Sequence, residues 1–339
     1  MAKETQSKKE PTDFQVRQTL RYFWKILTRN KRYVIPVALL QPVTIFLNGF
    51  AGMWIMSLAI NRLTTETIPA DQLLPTFWPY IAGFIGAVAV GELILWRLVT
   101  YLHWTMTERV VYDLNQQAFS ALSEQSMEFH NNRFGGSLVS QTNKFTGAFI
   151  RLSDLTLFNI MPTVYAFLFT FLILGPLLPG FALALGILAV VFMLIAWFSF
   201  STIRDLNVKE ADAQNKVSGQ IADSITNIMA VKSFGQEAHE RQRFRSYART
   251  ARQASFKIRN ATIVRDLWFG SVITAITGAA FVTLIFGNVW FGASIGTLVL
   301  AVNYSTQILG NLWGFNGMLR QLNRAFGDAR EMKHRFWAP

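Results

Sequence analysis

Residues 155–203 read LTLFNIMPTVYAFLFTFLILGPLLPGFALALGILAVVFMLIAWFSFSTI, with no Lys, Arg, Asp or Glu anywhere in the run. Residues 267–319 are equally free of charge. Crossing a ~30 Å hydrocarbon core takes about 20 apolar residues, so each run holds two crossings. A water-soluble core has no use for uncharged runs of this length. The bilayer is therefore the solvent, and the fold class to expect is an all-α membrane protein, because a helix satisfies its own backbone where no water can.

Working outward from these runs, two further crossings fall at about 33–61 and 77–98, the second containing Glu92. The charge-free runs themselves divide into crossings at about 155–174, 181–203, 267–286 and 295–319. Their dividing points are Gly175-Pro176-Leu177-Leu178-Pro179-Gly180 and Gly287-Asn288-Val289-Trp290-Phe291-Gly292, both rich in helix breakers. Six transmembrane helices are thus expected. The composition agrees, with 51% hydrophobic residues, 15% charged residues, 29 Phe and 10 Trp. A net charge of +12 would suggest nucleic acid in a soluble chain. In a membrane protein basic residues collect in the inner loops, so no nucleic-acid partner is expected. The absence of cysteine excludes disulfides, thiolate metal sites and Cys nucleophiles. Residues 1–13 read as a polar, disordered tail without the apolar core of a signal peptide.

Basic residues set the orientation. Residues 1–32 hold nine Lys and Arg, 97–154 five, 201–266 twelve and 320–339 five, which leaves only Arg62 for the remaining connections. Both termini and both long loops are expected in the cytoplasm. Just before the first crossing, Val16, Leu20, Phe23, Trp24 and Leu27 repeat at helical spacing, while Arg17, Arg21, Lys25 and Arg29 recur every fourth residue. Residues 14–30 thus read as an amphipathic elbow helix lying on an anionic inner leaflet, with a calmodulin-like target as the alternative.

The long loops carry the functional information. The first is helical from Arg97 past Tyr112, Leu114 and Phe119, breaks around Phe129 to Gly136, and resumes toward Asp154. The second continues through Val217, Ile221, Ile225 and Ile228, turns near Phe234-Gly235, and returns through Phe244, Tyr247 and Phe256. At 1.5 Å per residue, arms of 25–30 residues reach roughly 40 Å beyond the membrane. Two long cytoplasmic helical hairpins, residues 99–154 and 204–266, suit a machine driven from that side. A solvated scaffold is the other reading.

The tips carry the sequences Glu128-Phe129-His130-Asn131-Asn132-Arg133-Phe134-Gly135-Gly136-Ser137-Leu138-Val139-Ser140 and Ala230-Val231-Lys232-Ser233-Phe234-Gly235-Gln236-Glu237, the latter running on to Arg243-Phe244. Together with Asn323-Arg324-Ala325-Phe326-Gly327-Asp328-Ala329 after the last crossing, they resemble the type 1 membrane domain of ABC exporters over residues 14–335. The chain departs from that pattern at Gln141, where Arg is usual, and at Asp223, where Glu is common.

The resemblance implies a six-helix transmembrane domain over 31–325 and a truncated linker toward a motor domain over 326–339. It implies that the tips are coupling helices docking on nucleotide-binding domains. Phe129, His130, Asn131, Asn132, Arg133, Phe134, Gly135 and Gly136 would form the first; Gln236, Glu237, Ala238, His239, Glu240, Arg243 and Phe244 would form the second. The aromatics would anchor in a groove, Glu237 and Arg243 would serve its rim, and the glycine pair would let the chain reverse. A second transmembrane half, identical or related, would complete a pathway switching between inward and outward access. The setting would be a plasma membrane such as the bacterial inner membrane.

No G-x-x-x-x-G-K-[ST] loop occurs, nor any Gly-Lys dipeptide, so this chain is not expected to be an enzyme by itself. It binds no cofactor on this reading; ATP and Mg would sit on the partner nucleotide-binding domain, either a separate chain or a domain beyond Pro339. The histidines, His103, His130, His239 and His334, are dispersed without metal spacing. Glu92 is the lone acid well inside a span, a candidate proton or cation contact or a partner of Arg97. Asn48, Asn303 and Asn311 are candidate contacts for cargo or ion, or plain interhelical hydrogen bonders. The rival function is an ATP-independent secondary transporter or channel using Glu92. The abundance of aromatic and Met residues favours amphipathic or apolar cargo such as lipid, drug or peptide.

Overall fold

Every regular element among the described residues is helical, as a chain that must satisfy its backbone without water requires. The computed structural model describes residues 13–127 and 135–336. The N-terminal tail and the stretch Phe129–Phe134 of the first tip lie outside them. The helices are α1 (Asp13–Arg29), α2 (Lys31–Thr65), α3 (Ala70–Ser123), α4 (residues 135–177), α5 (Pro179–Thr226), α6 (Ile228–Ser233), α7 (Glu237–Phe291) and α8 (Ile295–Phe336).

Five of them, α2, α3, α4, α5 and α7, are long and apolar enough to cross a membrane by length and composition. The sixth expected crossing, α8, is not among these. Asn303, Gln307 and Asn311 dilute its apolar half. The 48 residues of α5 and the 55 of α7 run far past their charge-free stretches. At 1.5 Å per residue they measure about 70 and 80 Å, more than twice a bilayer core.

Two of the expected link regions are more helical than their composition suggests. Helix α4 runs to Leu177, and Pro179 opens α5, where its missing N–H costs nothing. Helix α7 runs through Gly287 to Phe291 and ends only at Gly292, whose φ of 62° is left-handed. Gly287 serves instead as a contact point, since a β-carbon there would meet the Leu298 side chain.

Cα packing divides the chain into two units, Met1–Ala182 with Ala280–Pro339, and Leu183–Ala279. In the first, the base of the first arm has its own core: Phe23 of α1, Met106, Val110 and Leu114 of α3, Phe145 and Phe149 of α4, and Ala325 of α8 are all buried together. The rings of Phe23 and Phe149 meet edge-on with centroids 5.4 Å apart. The base of the first arm is thus packed rather than a solvated loop. In the second unit, Phe192 of α5 stacks on Phe269 of α7 at 4.2 Å, and the Ser255 hydroxyl donates to Glu210, joining the two long helices along their length.

Candidate functional site: a lever tip and a polar belt

The tip of the second arm is built by local chain chemistry. Helix α5 ends at Thr226, and Asn227 turns its side chain back to donate to the Asp223 carbonyl at 2.9 Å. Six residues of α6 follow, closed by Gly235 at φ 61°. The Gln236 N–H reaches the Val231 carbonyl at 2.9 Å and the Gly235 N–H reaches Lys232 at 3.2 Å, the 6→1 and accompanying bonds of a glycine-terminated helix. Helix α7 then starts with Glu237 and Glu240 in its first turn, where negative charge suits the helix dipole.

This turn pushes apolar side chains outward. Phe234 is 78% exposed and Met229 76% exposed, while Phe244 is half-buried. Gln236, Ala238, His239 and Arg243 are exposed, and Glu237 is half-buried with a Lys232 partner at 3.9 Å. Glu240 turns inward: it accepts from Gln220 Nε2 at 2.7 Å and from the Ser224 hydroxyl at 2.7 Å, bracing α5 against α7 just behind the tip. The structure therefore divides the expected set into an outer face and an inner brace. Phe234 and Met229, absent from the expected set, are the large apolar side chains exposed here, and the Phe234-Gly235 turn was the available signal. In the first tip, Gly135 and Gly136 are the first described residues of helix α4, and the chain reversal assigned to that glycine pair lies against residues 128–134, outside the described residues.

The brace is testable. Glu240→Ala removes the carboxylate acceptor shared by the buried Gln220 amide and the Ser224 hydroxyl, leaving Gln220 only its 3.1 Å bond to Ser224, a loss of about 1–3 kcal/mol. Glu237→Ala removes only an exposed ion pair worth less than about 1 kcal/mol. Hydrogen exchange of residues 220–240 is expected to accelerate in the first variant and stay close to wild type in the second.

The spans of the first unit carry a second constellation. Three of them contain a widened π-helical turn, at Leu47–Ala51 in α2, Val90–Leu95 in α3 and Thr156–Ile160 in α4. Such a turn takes in one extra residue and disturbs the carbonyl ladder. Side chains from other helices meet those carbonyls. Gln307 Nε2 donates to Gly49, Tyr304 Oη donates to Phe50 at 2.9 Å, and Gln41 Nε2 donates to Leu157 at 3.0 Å. The first two π-turns are also tied directly, with Asn48 Nδ2 donating to Glu92 at 3.1 Å. Gly91 makes that approach workable, because a β-carbon there would collide with Asn48. Interhelical hydrogen bonds in membranes average about 0.6 kcal/mol, so the belt sets register more than it sets stability.

Asn48 and Glu92 are brought together, and Arg97 stands 3.8 Å from the Glu92 carboxylate. Asn303 bonds to the Val299 carbonyl of its own helix, and Asn311 to Gln307 and the Thr163 hydroxyl, so these two lie apart from that pair. Gln41, Tyr304 and Gln307 escaped the sequence reading, though polar side chains inside apolar spans were the available signal. Below the belt, His103, buried in α3, meets Asp154 of α4 at 2.8 Å, closing the arm's base. No group of His, Asp and Glu that could hold a metal ion occurs among the described residues.

Long helices that combine apolar stretches of bilayer-crossing length with polar arms ending in a turned tip define a multi-pass helical membrane domain. The chain belongs to the ABC transporter transmembrane region family, whose model matches residues 41–312. An ATM1-type heavy metal exporter of Novosphingobium aromaticivorans is 24% identical over 93% of this chain and 52% of that protein. ABC transporter B family member 6 of Dictyostelium discoideum is 21% identical over 94% of this chain and 45% of that protein. Among solved structures, a bacterial Atm1-family ABC exporter with ATP bound superposes with a TM-score of 0.64 at 20% identity, covering 91% of this chain and 54% of that one. The fold is thus that of an ABC exporter transmembrane domain. The chain spans about half the length of the curated relatives it matches.

Proposed function

We propose that the chain forms the membrane-crossing half of an ATP-driven exporter, pairs with a second such half, and is driven through its arm tips by nucleotide-binding domains. The observation that carries this reading is the α5–α6–α7 tip. A stiff helical lever ends in a fixed turn that holds Phe234 and Met229 out of the protein. Large apolar side chains held at the end of a lever are anchors for a partner's groove. ATP and Mg would bind on that partner; this chain contributes the lever and the pathway.

Closure of two motor domains would draw the tips together, and rigid helices would carry the displacement into the spans, switching access. The distribution of Lys and Arg supports a cytoplasmic position for the arms and both termini, in a plasma membrane. Relatives are named for heavy metals and, in Yarrowia lipolytica, for iron–sulfur clusters. Lacking cysteine, this chain has no thiolate to offer a soft metal, so such a cargo would travel with ligands of its own. Amphipathic metal complexes and apolar organic molecules are the cargo classes this favours.

The test is transport by the chain together with its nucleotide-binding partner in proteoliposomes. ATP-dependent accumulation of an amphipathic dye or a thiol-ligated metal complex is expected, insensitive to collapse of ion gradients. A second reading rests on the Asn48–Glu92–Arg97 group: an ion-coupled carrier. Gradient-driven transport without ATP, abolished by Glu92→Gln, would replace the exporter reading with that one.

A further inference from the structure

The base of the first arm buries more hydrogen-bonding groups than its protein partners satisfy. On α3, Thr100, His103 and Thr107 are spaced three and four residues apart and so share one flank of the buried face. Val99, Met106 and Val110 take the other flank and enter the apolar clusters. Each residue of the polar flank is at most 9% exposed. His103 meets Asp154 of α4 at 2.8 Å, and the Phe158 ring closes edge-on against the imidazole with centroids 5.5 Å apart. The two threonine hydroxyls on either side of it have no partner among the described residues.

Other threonines of these helices behave differently. Thr44, Thr105 and Thr156 each donate to the carbonyl four residues back in their own helix, at 2.7–2.8 Å. That local bond is open to any helical threonine, and Thr100 and Thr107 forgo it. A third orphan joins them. Gln41 of α2 is fully buried and gives its amide nitrogen to the Leu157 carbonyl in the π-turn of α4, but its Oε1 accepts nothing. Leu157 is buried with Val37, one turn before Gln41, and with Val99, next to Thr100. The three helices therefore bring these atoms to one junction. Leaving a buried polar atom unpaired is costly, and three of them beside one ion pair call for a common partner.

We propose that this seam is a binding site for ordered water, which bridges Thr100, Thr107 and the Gln41 carbonyl oxygen to the His103–Asp154 pair. The Gln41 oxygen needs a donor and each hydroxyl can give or accept, and a buried water supplies both while making about three hydrogen bonds of its own. Thr100 and Thr107 stand seven residues apart, about 10 Å along the helix, so at least two molecules are needed. Asp154 is the way in, because its side chain is 42% exposed while His103 behind it is enclosed. A single carboxylate takes part, which is too little charge to hold a hard cation in place of water. A contact made through water exchanges partners without leaving either side unpaired. Helix α2 and the first arm can therefore shift against each other at this joint, while the direct His103–Asp154 contact keeps α3 on α4. The joint is wet whatever partner the arm tips engage.

The experiment uses the full chain purified in detergent, and its probe is water itself. Brief X-ray radiolysis in isotope-labelled water generates hydroxyl radicals from bound molecules and marks the side chains beside them. His103 is expected to take up label despite its burial, whereas Phe149, equally buried in the apolar core of the arm, is expected to stay unmarked. The double variant Thr100→Val, Thr107→Val keeps the side-chain shape and removes both hydroxyls. Dry, unpaired hydroxyls would leave the thermal midpoint unchanged or raised on their removal. Hydroxyls that hold water are expected to lower it by a few degrees and to take the His103 label with them. A midpoint at or above wild type in that variant, or labelling of His103 in the wild-type protein no greater than that of Phe149, would overturn the proposal. The second result is read on the unaltered chain, so it decides the matter whether or not the variant folds.

Discussion

Replacing Phe234 with Asp is expected to cut cargo-stimulated ATPase of the assembled transporter by about thirtyfold or more. A central aromatic anchor lost from an interface costs about 2 kcal/mol or more, which is a factor of roughly thirty in partner affinity. Phe234 is 78% exposed, so its removal leaves the arm itself without a cavity. Membrane insertion and thermal midpoint are expected to stay at wild-type values, and basal ATPase of the motor should not rise on cargo addition. Phe244→Asp behaves differently, because Phe244 is half-buried and its loss disturbs the arm as well as any partner contact. Wild-type stimulation in the Phe234 variant would remove the tip from the coupling pathway.

The second large effect concerns Gly296, where α8 begins. Its N–H donates to Asn61 Oδ1 at 2.7 Å, and a β-carbon at that position would land on the Ser57 carbonyl oxygen of α2. That oxygen belongs to the backbone of a continuous helix and cannot rotate away. Gly296→Val is expected to lower stability in detergent by about 2–3 kcal/mol or more, the upper range for overpacking a well-filled contact. Asn61→Ala alone removes one hydrogen bond, worth about 1 kcal/mol. Combining Asn61→Ala with Gly296→Ala is not expected to restore stability, since the obstructing atom is Ser57 rather than Asn61. Restoration would mean that the helices approach less closely than they do here. Thermal unfolding of the three variants settles the matter.

The parts of this architecture that follow from charge exclusion were legible in the sequence. Residues 155–203 and 267–319 have no charge, and the helices α4, α5, α7 and α8 run through them. The reversal at Phe234-Gly235 was equally plain, because a glycine after an aromatic in a helical pattern offers the left-handed residue that such a turn needs. Three features were hidden for physical reasons. A π-turn adds one residue to a helix, which blurs periodicity without breaking it, so none of the three could be read from spacing. Gly287 carries the breaker signature but lies inside α7, with the Leu298 side chain where its β-carbon would stand. The stripe Phe23, Trp24, Leu27 reads as one lipid-facing surface, yet adjacent positions point about 100° apart, and the protein core claims Phe23 while leaving Trp24 outside.

The site was legible in type more than in detail. The motif that names Glu237 and Glu240 together does not say that one meets solvent and the other closes a three-residue clasp with Gln220 and Ser224. That distinction depends on which way α7 is rotated against α5, and sequence spacing along one helix carries no information about the rotation of its neighbour.

The π-turns have a consequence for how such a chain tolerates change of length. Excising one residue from an ordinary stretch of a spanning helix swings everything beyond it through about 100° and turns lipid-facing groups inward. Excision within Leu47–Ala51, Val90–Leu95 or Thr156–Ile160 instead relaxes the swelling to a plain helix and leaves the flanking faces in phase. These three places are the slack of the transmembrane bundle, where a lineage can shed a codon and keep its fold.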